Sequence, residues 1–544
     1  MDMNYSSPSC TGLTLIKLSS SAPTCNAALW WLALLFVASV IAASIRNKFQ
    51  SVEIYPLLNE TKEEYLKEGK ALLARGAKEH SGKPFRVYTG QGTLTVLAPT
   101  FAHDLKNDNR LSSTEFLLAY WQAGTPGFEP YLSSGSELIR EMIRTHLTQS
   151  DVDEAADALR DVFTDDEATR LELPNDSFQE WHEVTLASTV PQIVARVSAL
   201  VFLGPELCRD PAWLDITINY PSKAMAAARF LRSYPQPVRR LVHWFLPCCR
   251  ELRQMLRTAR MAIEPIQQKR QEQEAEKGGM AFNNALAWIE KLAMKQQDKT
   301  AQNAAFQQLG LSVLANASST DLISQNILDL CHNPDLVGPL REEVLRETGN
   351  GWKSSSLYNL KLMDSVLKET LRLKPIASVA LGRRVMEDGV KLSDGSLLPR
   401  TTGVAVSSAN MWDPVSHHSS GPNGSHVPAK SPAESSNEQE IYPDPERFDG
   451  RRFLRMRESA NNEHIAQLAS VSPEHLGFGL GAHACPGRFF GASSAKLIMS
   501  NILLKYEFKL VNDEKTTVDP MRFGFSTLVN PRAKVLIRRR KDAA

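Results

Sequence analysis

The chain has 544 residues, is 42% hydrophobic and carries a formal net charge of only +1. That balance provides core for one large enzyme body and gives no electrostatic reason to expect nucleic acid as a partner. Its seven cysteines are scattered, with only Cys248 and Cys249 adjacent. This excludes Cys-x-x-Cys zinc spacing and a small disulfide framework, and it favours reduced thiols.

The first predicted element is a membrane span at 27–45. Ala27 to Ala43 holds no charge and includes Trp30-Trp31-Leu32-Ala33-Leu34-Leu35-Phe36-Val37. Its length sits at the short end of the spanning range. The tail at 1–26 lacks the basic n-region of a cleaved signal, while Arg46 and Lys48 follow the span. The positive-inside bias then places the body in the cytosol and the tail in the lumen, where Asn4-Tyr5-Ser6 is a glycosylation sequon.

Residues 46–84 read as a linker and a helix. Phe85-Arg86-Val87-Tyr88-Thr89 and Thr93-Leu94-Thr95-Val96-Leu97 flank Gly90-Gln91-Gly92, which predicts a hairpin. Ala, Leu, Glu and Arg then recur at helical spacing to about residue 370. Short strands return at Arg384 to Val406 and near the C-terminus. The reading is a mainly α fold with small β-sheets. Between them, Val415 to Glu440 is rich in Ser, His, Pro, Asn and Gly and has almost no large apolar residue. It cannot bury a core and reads as a disordered loop insertion.

Two constellations carry chemistry. Glu369-Thr370-Leu371-Arg372 puts a carboxylate and a guanidinium on one helix face, where they can pair. Phe478-Gly479-Leu480-Gly481-Ala482-His483-Ala484-Cys485-Pro486-Gly487 places one thiol in a Gly-rich loop. Its form is Phe-x-x-Gly-x-x-x-Cys-x-Gly, and the glycines allow close backbone approach to a bound group.

This loop resembles the haem-binding loop of the cytochrome P450 family, and the resemblance runs from about Phe85 to the C-terminus. The flanking Ser472-Pro473-Glu474-His475-Leu476-Gly477 and Arg488-Phe489-Phe490 are similar to the fungal secondary-metabolism branch of terpenoid and indole-diterpene oxidases. The resemblance implies a catalytic domain at 85–544 with the cytochrome P450 fold behind an N-terminal transmembrane helix, single-pass in the endoplasmic reticulum membrane. It implies haem b with Cys485 as axial thiolate, a ligand that favours O–O cleavage. Phe478, Gly481 and Gly487 would shape the loop. His483, Arg144 and Arg384 would meet the propionates through charge-assisted hydrogen bonds. The family's Trp, four residues before Arg144, is Arg140 here. Glu369, Arg372 and Arg447, the last in Pro445-Glu446-Arg447-Phe448, would form a buried structural triad.

The resemblance also implies a monooxygenase taking O2 and a hydrophobic small molecule, a terpenoid or meroterpenoid by its branch, with electrons from NADPH-cytochrome P450 reductase. No Gly-rich dinucleotide motif opens a helix in the chain. Substrate contacts would come from Phe128 to Ser134, Leu311 to Ser318, Ile376 to Leu381 and Phe523 to Thr527. The oxygen-side helix departs from the usual pattern: Ala317 holds the acid position and Ser318 the Thr position. Ser318 is the candidate proton-relay hydroxyl, with Asn316 and Ser319 as alternatives. The departure keeps open a haem-thiolate isomerase or dehydratase without net oxygenation, and the insertion keeps open a non-catalytic haem-binding membrane protein.

Overall fold

The computed structural model describes residues 54–80, 82–147, 180–277, 283–296, 303–349, 352, 355–409, 442–459, 462–511 and 519–541. The expected span at 27–45, the sequon at Asn4 and the 415–440 segment lie outside the described residues.

Helix α1, Lys62–His80, precedes strands β1, Phe85–Thr89, and β2, Gly92–Leu97. The strands pair antiparallel with Thr89 opposite Gly92, as the Gly-Gln-Gly turn predicts. Gly92 has φ +117°, a conformation that only glycine adopts cheaply. Next come β3, Leu111–Ser112, α2, Ser113–Trp121, α3, Glu129–Ser134, and α4, Glu137–His146. Ser112 and Ser136 cap α2 and α4, their hydroxyls accepting from Glu115 N at 3.1 Å and Ile139 N at 3.3 Å.

β4, His182–Thr185, leads into α5, Leu186–Leu203, then α6, Pro211–Arg232, α7, Pro247–Lys277, α8, Ala285–Gln296, and α9, Ala304–His332. After α10, Val337–Thr348, and α11, Lys361–Leu373, Pro375 stops the helical path. β5 begins at Val379 and ends at Val385, so the strand starts earlier than the expected Arg384. The cause is tertiary: Ser378 N donates to Phe525 O at 2.7 Å, which holds the segment extended. The chain closes with β6, Gly403–Ser407, α12, Arg452–Glu458, α13, Arg488–Lys505, β7, Tyr506–Leu510, β8, Met521–Phe523, β9, Ser526–Leu528, and β10, Lys534–Arg539.

One sheet has the order β1-β2-β6-β5-β3, with β2 and β6 parallel and the other pairs antiparallel. A second has the order β4-β10-β7, and β8 and β9 form a hairpin. The main core wraps α9, which packs against α3, α5, α6, α7, α11 and α13. Among the described residues α5 alone is long and apolar enough to cross a membrane. It is a core helix here, since Val190, Ile193, Val194, Val197 and Phe202 are buried against α9 and its neighbours.

Beneath the site, Lys368 on α11 is almost wholly buried. Its Nζ donates to the carbonyls of Ile465 at 2.9 Å, Gln467 at 2.6 Å and Ser470 at 3.1 Å. One ammonium thus gathers three carbonyls of the turning 465–470 segment, where Gln467 O also accepts from Ser470 N at 3.0 Å.

Candidate active site

The Cys485 loop is closed by its own backbone. Cys485 N donates to Phe478 O at 2.8 Å, and Ala484 N donates to Gly481 O at 3.0 Å. Gly479 and Gly481 sit at φ +73° and +71°. A Cβ on Gly481 would come within 2.5 Å of Lys106 O, so only glycine fits there. Asn107 Oδ1 accepts from Ala482 N at 2.9 Å, pinning the loop to the chain before β3. Gly487, the residue before α13, is less constrained: an added Cβ would meet only Ile143 Cγ2 at 3.9 Å.

Cys485 is exposed. Yet protein crowds it enough that burial pushes its thiol pKa up, against a hydrogen bond from the Gly487 backbone and the Arg488 charge. The two facts agree for a thiol that faces an enclosed hollow rather than bulk solvent. Helix α9 tells the same story. Neighbours pack around it, yet Leu314, Ala317 and Ser318 remain exposed on one face, at the i, i+3, i+4 spacing of a helical stripe. A cavity of about 210 Å³ lies beside the Cys485 loop, between Ile376, Val379, Leu381, Gly477 and Gly479.

The rim of this hollow is cationic. His483 Nδ1 lies 3.3 Å from Ser113 Oγ. Burial lowers the His483 pKa, and the charges of Arg383, Arg140 and Arg144 lower it further, with Glu137 opposing. Arg144 Nη2 donates to Ala482 O at 3.3 Å. Arg140 and Arg144 share the Glu137 carboxylate, at 2.9 and 3.5 Å. Arg383 is buried, donates Nη1 to Gly382 O, and leaves Nε and Nη2 without protein partners. Burial alone brings its pKa down to about 10. Buried guanidinium donors are normally paired, so a ligand carboxylate is the partner this site lacks.

Arg384, the residue expected from sequence, follows Arg383 on β5 and so takes the opposite face of the strand. It pairs in register with Gly403 and Ser112. Arg383 is not distinguishable from Arg384 in the sequence because the two arginines stand in tandem and only the bulge in β5 decides which one turns inward. Arg140, at the position of the family's Trp, lies among the charges around His483. These features fit a flat macrocycle that carries two carboxylates and a metal needing one axial thiolate.

The buried charge network differs from the expected triad in its third member. Arg372 Nε and Nη2 meet the Glu369 carboxylate at 2.8 and 2.9 Å, with both side chains buried. The third member is Arg452, whose Nε lies 3.0 Å from Glu369 Oε1. Arg447 is exposed, and only its carbonyl takes part, accepting from Arg452 Nη2 at 3.1 Å. Arg447 sits in a surface turn, whereas Arg452 opens α12, which packs on α11.

On α9, Ser318 Oγ donates to Leu314 O at 3.4 Å, a local bond within the helix. Asn316 is buried, and its side-chain amide has no protein partner. Three residues past Ser318, Asp321 is buried and accepts from Val529 N at 2.6 Å. Burial pushes its pKa up to about 6 against that hydrogen bond and the Lys374 charge.

Among the segments expected to contact substrate, the 523–527 and 376–381 stretches meet, and α3 lies against the start of the 311–318 stretch of α9. Thr527 N donates to Ile376 O at 3.2 Å. Gly310 of α9 passes so close to α3 that a Cβ would lie 2.6 Å from Pro130 O.

Comparison with known proteins adds the family context. The family model described as "Cytochrome P450" matches residues 77–413 and 422–537, and its break overlaps the start of the polar 415–440 segment. Cytochrome P450 monooxygenase 1 of Gibberella fujikuroi is 39% identical over 85% of this chain and 98% of its own. Cytochrome P450 monooxygenase hepE of Aspergillus oryzae is 38% identical over 89% of this chain and 84% of its own. A retinoic acid-bound cyanobacterial CYP120A1 superposes with a TM-score of 0.61 at 16% identity, covering 89% of this chain and 99% of that one. At that identity the likeness is one of fold.

Proposed function

This chain belongs to the cytochrome P450 family, and from that premise we propose that it oxidises a terpenoid or meroterpenoid at Cys485-ligated haem. It is a haem-thiolate monooxygenase of the class that acts on hydrophobic secondary metabolites. The observation that carries the reading is the Cys485 thiol, held in a backbone-closed loop and facing an internal hollow rimmed by cations. Haem bound there supplies reductive activation of O2 and insertion of one oxygen atom into a C–H bond.

The protein's own residues supply the rest. Arg383, with His483, Arg140 and Arg144, holds the propionates. Gly481 lets the thiol loop lie close to the chain at Lys106. Leu314 and Ala317 give the substrate an apolar floor along α9, and nearby apolar groups exclude water. Ser318 holds a proton at Oγ and passes it toward the oxygen side, with the Asn316 amide positioning water. The electron donor is an NADPH-dependent reductase, and the 27–45 segment anchors the body to the endoplasmic reticulum membrane. Residues 415–440 form a dispensable insertion in the 85–544 domain.

A carbon monoxide difference spectrum of the reduced protein tests the ligand. Product formation from a terpenoid panel, with reductase and O2 each omitted in turn, tests the reaction. Turnover that continues without O2 or reductase would favour the isomerase or dehydratase reading, which the alanine at 317 motivates.

A further inference from the structure

Above the hollow, the end of α6, the end of α2 and the β8–β9 hairpin meet in a cluster of unlike character. Arg229 stacks over the Phe523 ring, its guanidinium carbon 4.5 Å from the centroid. Arg232 Nη2 donates to Tyr120 O, and its guanidinium lies 5.7 Å from the Tyr120 ring centroid. Arg239 joins through Nη2 to Arg232 O at 3.1 Å and Nη1 to Gln122 Oε1 at 3.4 Å. Around them stand aromatic rings. Tyr65 meets Phe525 edge-on at 4.9 Å, and Trp121 stacks on Tyr131 at 4.3 Å.

Three guanidiniums here share no counter-ion. Among the described residues none of Arg229, Arg232 and Arg239 makes a salt bridge, and no carboxylate acts on Arg232. Arg232 Nε is buried with no partner, and so is the Tyr131 hydroxyl. Burial and the neighbouring Arg239 and Arg229 charges lower the Arg232 pKa, which shows what it costs to hold the charge unpaired. The cluster also borders the proposed chamber. Phe525 O accepts from Ser378 N at 2.7 Å, and α3, which carries Tyr131, packs on α9.

We infer that this cluster receives the carboxylate of a hydrophobic substrate, with Arg232 and the Tyr131 hydroxyl as donors and Arg229 at the outer edge. The inference rests on the hydrophobic-substrate reading above and narrows it to an acid. The apolar body of such a molecule would extend toward α9 while its charged end stays among the guanidiniums. Charge-assisted hydrogen bonds to a carboxylate are the strong class.

The test uses the full-length, haem-loaded protein and two probes, abietic acid and palmitic acid, each beside its methyl ester. Binding is read from the shift of the haem absorption band. Wild type should bind the acids more tightly than the esters. Arg232→Gln should weaken acid binding by about tenfold or more, the loss expected for one charge-assisted hydrogen bond, and leave the esters unchanged. Because Arg232 also supports Tyr120, Arg229→Gln and Tyr131→Phe serve as milder variants and should shift the acids in the same direction. A wild type that binds esters as well as acids, or binds neither acid, overturns the proposal. So does an Arg232→Gln protein that loses affinity for phosphatidylserine vesicles while its acid–ester difference persists, since the cations would then serve a lipid surface. The carbon monoxide spectrum of each protein reports separately on the haem site, so failure of the P450 reading would not pass for failure of this one.

Discussion

Arg452 Nε lies 3.0 Å from Glu369 Oε1, on a carboxylate that also holds Arg372. One buried acid therefore joins the end of α11 to the start of α12 and the turn ahead of it. Removing one partner from a buried charge network typically costs about 3–5 kcal/mol. Arg452→Ala and Glu369→Gln should yield protein with little haem and poor solubility. Arg447→Ala, an exposed change, should keep normal haem content. Haem-to-protein ratios after purification decide between Arg452 and Arg447, and equal loss in both would return the role to Arg447.

Cys485→Ser should abolish the thiolate-type carbon monoxide spectrum. Cys208, Cys248, Cys249 and Cys331 are free thiols away from the loop. Each should be replaceable by Ser with the spectrum intact, as should Cys10 and Cys25. Retention of the spectrum in Cys485→Ser would remove the foundation of the functional reading.

The tandem arginines of β5 should separate in a haem-retention assay. Arg383→Gln leaves a propionate without its buried donor and should weaken haem binding by about tenfold or more, the usual scale for a lost charge-assisted bond. Arg384→Gln should change it little. Passage over a desalting column, followed by haem quantification, reads the difference.

Ser318→Ala should keep haem and substrate binding but form less product per NADPH consumed, the remainder appearing as peroxide. A well-placed proton-transfer group contributes about 10²–10⁴-fold. Ser318→Thr should match or exceed wild type. If the alanine variant couples as well as wild type, the hydroxyl only packs, bonding Leu314 O as it does here.

Asp321 gives a pH dependence with a definite sign. An unfolded Asp titrates near 4, whereas the folded carboxyl titrates at about 6. The folded state therefore holds this proton more tightly. Its contribution to stability is fully present below about pH 4 and is lost as pH rises through about 6. Asn mimics the neutral form, so Asp321→Asn should gain on wild type between about pH 4 and 6 and level off above that. The gain is at most about 3 kcal/mol. Thermal midpoints at several pH values test it, and a difference independent of pH would show that the carboxyl titrates in its ordinary range.

Much of this was legible in the sequence where the signal is local. The Phe85–Leu97 hairpin carries its own turn glycine, and Cys485 carries its loop. Glu369 and Arg372 meet because a helix brings residues three apart together. What the sequence hid is set at a distance. Arg452 outcompetes Arg447 because α12 packs on α11, which no spacing rule encodes. Arg383 turns inward because β5 contains a bulge at which Leu381 adopts φ +53°. Asp321 reads as an ordinary helical acid until the fold buries it and Val529, far along the chain, supplies a backbone N–H to it.

Lys368 donates hydrogen bonds to main-chain oxygens alone among the described residues, at Ile465, Gln467 and Ser470. The side chains at those positions are therefore free of the anchor. The segment should accept many substitutions there yet reject an added or deleted residue, because a change in length moves every carbonyl off the ammonium. The constraint is on spacing rather than identity. Two relatives could share this contact while sharing none of the three residue types, and an alignment that scored identity alone would pass over it.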